Sequence, residues 1–345
     1  MTPEKTFAMS KRVRGLDGLR FGLALCVVVG HIGLPISVDP SSYSLPWNYI
    51  TAVYANAFNG PAAVVCFFLI SGFCIHFPYR YKSIDFVSYF ARRHIRIWIP
   101  IFTALLLAKS LGYRTSLLGE SILWSLIAEE IYYLLYPWLL GLSRQFGWCR
   151  LLLVSAILAF ALVLANPSAQ DYPSFSFYGN WILGLPVWIS GCLLANQYDQ
   201  LKNHAPAILL WRFGLLATFV LTSIARFHFG LGYPWSLSLA AIYFWFWLRA
   251  EILHYKTNEP FLLLENLGKL TYSLYLTHLV FFHVLKLIVG DLPSNVFWRL
   301  SYLILIVVAA AIFYAVIESP SHRLARMLGK RLAKGETHQT AFARE

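Results

Sequence analysis

The chain has 345 residues, of which 58% are hydrophobic, 17% aromatic and 13% charged, and its formal net charge is +12. Soluble domains carry about 25% charged residues, so this composition excludes an ordinary water-soluble globular protein and places the chain in a membrane. The aromatic content fits Trp and Tyr belts at the two lipid–water boundaries.

The first fifteen residues, MTPEKTFAMSKRVRG, are polar and basic, and the apolar run after them has no small-residue cleavage site. The first span is therefore expected to stay in the mature chain. A spanning helix takes about 20 mainly apolar residues. In chain order the predicted spans are 18–37, 59–79, 97–113, 117–140, 150–166, 177–196, 207–225, 233–253, 269–289 and 297–317. Pro, Gly, Asn and charge clusters fill the breaks between them, as loops require. The sequence reads as an all-α integral membrane protein, a bundle of about ten transmembrane helices. Residues 1–13 are expected to be an N-terminal tail, 14–325 the membrane domain and 326–345 a basic C-terminal tail.

With the N-terminus taken as cytoplasmic, only Lys109, Arg114, Arg226, Lys286 and Arg299 of the 28 Lys and Arg fall on the opposite side. By the positive-inside rule both termini are then cytoplasmic. This bias accounts for the basic excess without nucleic acid as a partner. Four of the five cysteines, Cys26, Cys66, Cys74 and Cys192, lie in apolar runs; they read as small buried residues.

Ionisable side chains inside such spans are costly and must face the bundle interior or a water-filled cavity. The first span, LDGLRFGLALCVVVGHIGL, carries Asp17, Arg20 and His31. Arg20 and His31 are eleven residues apart, close to three turns, so they share a face with a rise of about 16 Å. A membrane histidine is either a neutral ring bonded to a neighbouring helix or a general base that takes a proton from a hydroxyl. The shared face with Arg20 favours the second.

In VSYFARRHIRIWIP, Arg92, Arg93 and Arg96 lie within five residues, and Arg93 and Arg96 share a face. Such guanidinium forks suit phosphate oxygens; a topogenic cluster on anionic lipid is the alternative. In LWSLIAEEIYYLLYP, Glu129 shares a face with Ser125 and Tyr133. Glu129 either orients an imidazolium or pairs with an arginine as a strut. Ser71-Gly72, in mid-span, reads as a small pair that lets helices approach closely. His76 is expected at the membrane boundary. His278 and His283, five apart, sit on different faces, so a metal between them is not expected; His278 would line the cavity, and His283 is expected to be packed or interfacial. For Arg14, Asp17 and Glu318, near cytoplasmic helix ends, ion pairs or lipid contacts suffice.

Taken in order, these segments resemble the acyltransferase-3 family of bacterial integral membrane acyltransferases. The matches are GLDGLR with Arg20 and His31, Phe67–Phe73, Arg93 with Arg96, Trp124–Tyr133, Thr271–His278, and Glu318 with Pro320 and Arg323. Thr271 stands where the family has Ser, and Thr277 where it usually has Trp. The resemblance implies a ten-helix bundle in the bacterial inner membrane that moves an acyl group, acetyl by default, from cytoplasmic acyl-CoA to a hydroxyl of a sugar or lipid-linked glycan. Acyl-CoA would be a co-substrate, and no cofactor would be permanently bound. It implies His31 as general base, Glu129 orienting or charge-balancing it, Arg20 steering the donor, and Arg93 and Arg96, with Arg92, holding CoA phosphates. Ser71, Tyr133, His278 and Asp17 would line the passage. A transporter or flippase of a glycan or acylated substrate, and a sensor or scaffold locked by polar contacts, are the rival classes; free CoA released from labelled acetyl-CoA separates an enzyme from both.

Overall fold

The computed structural model describes residues 13–33, 44, 47–113, 123–202, 206–290 and 295–342, with side chains up to 332. Every regular element among them is helical: α1 (Leu16–Ile32), α2 (Trp47–Ala57), α3 (Gly60–His76), α4 (Phe86–Ser110), α5 (Leu123–Phe146), α6 (Trp148–Ala165), α7 (Ser176–Asn196), α8 (Ile208–Phe229), α9 (Tyr233–Thr257), α10 (Leu262–Leu267), α11 (Thr271–Val289), α12 (Val296–Phe313) and α13 (Ser319–Phe342). The tail up to residue 12, the end of the first expected span at 34–37 and the start of the fourth at 117–122 lie outside the described residues.

Among the described residues, seven segments are long and apolar enough to cross a bilayer: Gly60–Tyr79, Trp148–Ala165, Tyr172–Asn196, Ile208–Phe229, Tyr233–Thr257, Leu262–Val289 and Val296–Leu332. The remaining three expected spans, 18–37, 97–113 and 117–140, overlap α1, α4 and α5, of which α4 begins well before the expected 97 and α5 runs past 140. Here α1 has only 17 residues, α4 carries three arginines and a lysine, and α5 carries two glutamates and an arginine. Apolar side chains such as Leu153, Ile157 and Phe160 on α6 and Leu209, Leu210 and Phe213 on α8 stay exposed, the outward face that hydrocarbon requires.

Local chemistry sets several helix starts. Asn59 caps α3 by accepting from Ala62 N–H at 3.0 Å, with Pro61 in the first turn. Asp85 caps α4 through Ser88 N–H at 3.2 Å, and Asn295 caps α12 through Phe297 N–H at 2.8 Å; such side-chain acceptors satisfy amides that have no partner within the helix. Short α2 was not predicted, because eleven residues broken by Asn48, Thr51 and Asn56 cannot span. The expected ninth span, 269–289, is α11, preceded by a 3₁₀ turn at Gly268–Leu270 that separates it from short α10. The tenth passes through a π turn, Tyr314–Glu318, directly into α13. The boundary expected at 325 therefore falls inside a continuous helix. That helix packs along α4: Ser88 Oγ donates to Gly329 O at 2.9 Å.

α3 and α7 form the centre of the bundle. A Cβ on Gly72 would sit 1.9 Å from Trp188 O, and one on Gly191 2.1 Å from Leu69 O. The two backbones touch, as the small pair in α3 predicted. Cys192 Sγ lies 3.3 Å from Gly72 O in the same contact. His76 departs from expectation. It is 1% exposed, bonds Tyr136 OH at 3.0 Å and meets the Trp148 ring edge-on at 4.6 Å; the α6 tryptophan covers what would otherwise be a boundary position.

Gly72→Ala is expected to lower stability by about 2 kcal/mol, the size of a core overpacking, read as a lower thermal midpoint in detergent. Gly141→Ala, where an added Cβ meets nothing within 4 Å, is the control and should leave the midpoint unchanged or slightly higher.

Candidate active site

A cavity of about 700 Å³ opens at one end of the bundle, between α1, α3, α4, α5, α11 and α13. Six cations line it, Arg20, Arg92, Arg93, Arg96, Lys269 and Arg326, against three carboxylates, Asp17, Glu129 and Glu318. The excess of three positive charges in a partly desolvated hollow favours a polyanion.

Each wall is fixed by packing. Gly18 N–H, at the start of α1, donates to Glu265 Oε1 of α10 at 2.9 Å, which holds the helix that carries Asp17 and Arg20; an acid there also meets the positive end of the helix dipole. On α4, Arg92 Nε donates to Ser88 O at 3.0 Å. The Arg93 guanidinium lies over the Tyr133 ring, 5.5 Å from its centroid, and 6.0 Å from that of Tyr89. Tyr89 OH in turn donates to Tyr133 O at 3.2 Å, and Tyr272 OH to Ile97 O at 2.9 Å, so α4 is tied to α5 and α11. On α5, Glu129 accepts from Tyr133 OH one turn on. Tyr133 OH and Ser71 Oγ are 3.2 Å apart, and Trp188 Nε1 donates to Ser71 Oγ at 3.3 Å. Ser71 thus contributes a hydroxyl to the cavity wall while its neighbour Gly72 makes the α3–α7 contact.

Of the predicted site residues, Asp17, Arg20, Ser71, Arg92, Arg93, Arg96, Glu129 and Tyr133 line this cavity; His31 and His278 are not among its lining residues. They meet each other instead. His31 Nδ1 is 3.1 Å from His278 Nε2, with ring centroids 5.2 Å apart. His31 is exposed and His278 completely buried. Two expectations are corrected here. Glu129 bonds Tyr133, and the bond to His31 comes from His278. His278 is packed in the interior rather than set in the cavity wall. His283 lies beside the Tyr113 ring, centroids 5.2 Å apart.

Between the two centres lies a layer one helical turn beyond the cavity lining. Phe67 precedes Ser71 on α3, Ser125 precedes Glu129 on α5, and Tyr275 follows Tyr272 on α11. Ser125 Oγ and Tyr275 OH are 2.6 Å apart, and the Phe67 and Tyr275 rings meet edge-on at 6.1 Å.

Sequence reasoning missed two acid–histidine pairs. Glu130 Oε2 lies 2.9 Å from His94 Nδ1; that pair joins α4 to α5, so no local spacing reveals it. Glu318 is 1% exposed and lines the cavity. Its Oε2 accepts from Ser273 N–H at 3.1 Å and Oγ–H at 2.5 Å, and its Oε1 faces His322 Nε2 at 3.3 Å. Here the i, i+4 spacing of Glu318 and His322 was the readable signal. Glu318 also closes the π turn, an irregularity frequent at functional sites. Arg14, by contrast, pairs with Glu259 on the surface.

An all-helical membrane protein with a cation-rich cavity at one end and a histidine pair deeper along the same helix is the class that this geometry defines. The acyltransferase-3 family model, described as an acyltransferase domain, matches residues 13–317, and the chain belongs to that family. A relative from Streptomyces mycarofaciens, acyltransferase MdmB, is 24% identical over 373 residues, covering 93% of this chain and 93% of its own. No solved structure matches the chain.

His94→Ala is expected to destabilise the protein by about 2 kcal/mol, because Glu130, buried in the α4–α5 contact, loses the partner of a charged hydrogen bond. Thermal unfolding checks this, and the double variant His94→Leu with Glu130→Leu should recover most of the loss.

Proposed function

We propose that this chain is a multi-pass acyltransferase of a bacterial inner membrane that moves an acyl group, acetyl by default, from cytoplasmic acyl-CoA to a hydroxyl of a sugar or lipid-linked glycan. The observation that carries the reading is the cavity with six cations against three carboxylates. A donor with several phosphates matches that excess, and arginine forks bind phosphate in paired, charge-assisted hydrogen bonds. In this reading Arg92, Arg93 and Arg96 hold the phosphates and Arg20 stands at the inner end, where the charged head stops and the neutral arm continues. The arm passes the layer of Phe67, Ser125 and Tyr275 and brings the thioester to His31, about 16 Å further along α1. His31 takes the proton of the acceptor hydroxyl. Glu129, bonded to Tyr133, balances the arginines.

The same reading sets the topology at ten spans, with α1, α4 and α5 counted, and both termini cytoplasmic. The charged faces of these three helices are turned toward the cavity, which supports counting them despite their polarity. The cavity is then on the cytoplasmic side, where acyl-CoA is made available.

Membranes carrying the chain should release free CoA from labelled acetyl-CoA. A carrier would leave the thioester intact. His31→Ala should abolish release at an unchanged membrane level; release near wild type removes His31 from the reaction. Arg93→Ala and Arg96→Ala should each raise the apparent KM for acetyl-CoA about tenfold or more, the loss of one charged hydrogen-bond pair, and leave the acceptor KM close to wild type.

Topology has its own test. Cys149, exposed at the start of α6, should react with a membrane-impermeant maleimide in inverted vesicles and not in intact cells.

A further inference from the structure

His278 is a completely buried imidazole that the cavity does not use. Its Nδ1 lies 2.8 Å from Tyr275 O and 3.2 Å from Leu274 O. A carbonyl oxygen can only accept, so Nδ1 of His278 must carry a proton. A second proton on Nε2 would make a buried cation, and among the described residues no carboxylate bonds this ring. Nε2 of His278 is therefore an acceptor. It faces His31 Nδ1 at 3.1 Å, so the proton between the rings belongs to His31. The hydrogen-bond network thus assigns both tautomers: His31 is protonated at Nδ1, and its Nε2 carries the lone pair.

We infer that His278 is a positioning residue that fixes His31 as an Nε2 base. The inference rests on the acyl-transfer reading for its purpose, and on the ring geometry for its content. When the acceptor oxygen attacks the thioester carbonyl, the C–O bond forms and the C–S bond breaks. The hydroxyl proton goes to His31 Nε2 and from there to the departing thiolate, so the products are an ester and a free thiol. Throughout, His31 Nδ1–H stays bonded to His278, which neither gains nor loses a proton. Without His278, the His31 ring keeps, among the described residues, only its hydrogen bond to the Val27 backbone one turn back, and the tautomer with its proton on Nε2, which cannot act as a base, gains population. The sequence offered no sign of this: the two histidines are 247 residues apart and come together only when α1 packs against α11.

The test uses the full chain in lipid nanodiscs with ¹⁵N-labelled histidine, His31 being identified by difference from His31→Asn. The nitrogen shifts and long-range proton couplings of His31 should report protonated Nδ1 and unprotonated Nε2. His278→Ala should shift His31 toward the other tautomer and lower kcat for CoA release from acetyl-CoA about 10²-fold, with KM for acetyl-CoA within about twofold. His278→Gln, whose amide oxygen can still accept from Nδ1–H, should keep the wild-type tautomer and hold kcat within about tenfold. An Nε2-protonated His31 in the wild type, or an unchanged tautomer in His278→Ala, overturns the inference. If His278→Ala fails to fold, the wild-type spectrum and His278→Gln still decide it. A wild-type chain with the expected tautomer that releases no CoA counts against acyl transfer and leaves the proton placement standing.

Discussion

A charged side chain inside a bilayer costs several kcal/mol unless it is paired or reaches water, and this chain gathers nine of them around one hollow. That constraint arranges the rest. The elements that carry these charges, α1, α4, α5, the Gly268–Leu270 turn ahead of α11 and the α12–α13 rod, can rotate their polar faces only toward one another. α6 and α8, which contribute no charge to the hollow, are left to meet lipid with exposed apolar faces. The α3–α7 contact, closed by Gly72 and Gly191, supplies the rigid base on which this arrangement can form. It also puts Ser71 against Tyr133, and through Tyr133 against Glu129. A packing motif and a chemical one thus share two adjacent residues.

What the sequence disclosed follows from the same cost. Asp17, Arg20 and Glu129 are conspicuous because they interrupt apolar runs, and a charge there has nowhere to go but inward. The Glu129–Tyr133 bond was within reach, since four residues on one helix are neighbours. Partners on other helices were hidden. His76 looked interfacial because nothing local announces that Trp148 covers it. Glu318 looked ordinary because an acid near a helix end is commonplace, yet the π turn swings it under Ser273. Residue type alone left an arginine strut open for Glu129; its pairing with His31 was what the family resemblance implied. The fold gives each of them a different partner, because Tyr133 is already one turn from Glu129, and α11 brings His278 to His31. The polar stretch at 326–332 read as a tail because its composition suits water. Packed along α4, it instead brings Arg326 into the cavity wall.

The separation of the two centres has a physical logic in the proposed reading. Phosphates carry charge that cannot follow into a layer built from Phe67, Ser125 and Tyr275, so the head of a donor is held where six cations meet it and only a neutral arm can go further. α1 acts as the ruler, with Arg20 at one mark and His31 three turns along. Discrimination of the donor and chemistry on the acceptor are then carried out by different residues. This is why losing a phosphate-binding arginine and losing the base are separable in kinetics.

A neutral ring behind the base is a different solution from the carboxylate that orients many catalytic histidines. A carboxylate stabilises the imidazolium that forms, but at membrane depth it is a second buried charge that needs its own partner. His278 fixes the tautomer through two backbone carbonyls and carries no net charge. It gives the imidazolium a hydrogen bond and no counter-charge. The positive ring is therefore costly for as long as it lasts, and the nearest relief is the negative charge that grows on the departing sulfur. An arrangement of this kind favours passing the proton straight from acceptor to thiolate across His31, with base and leaving group on the same side of the reacting carbon, over storing it on the ring.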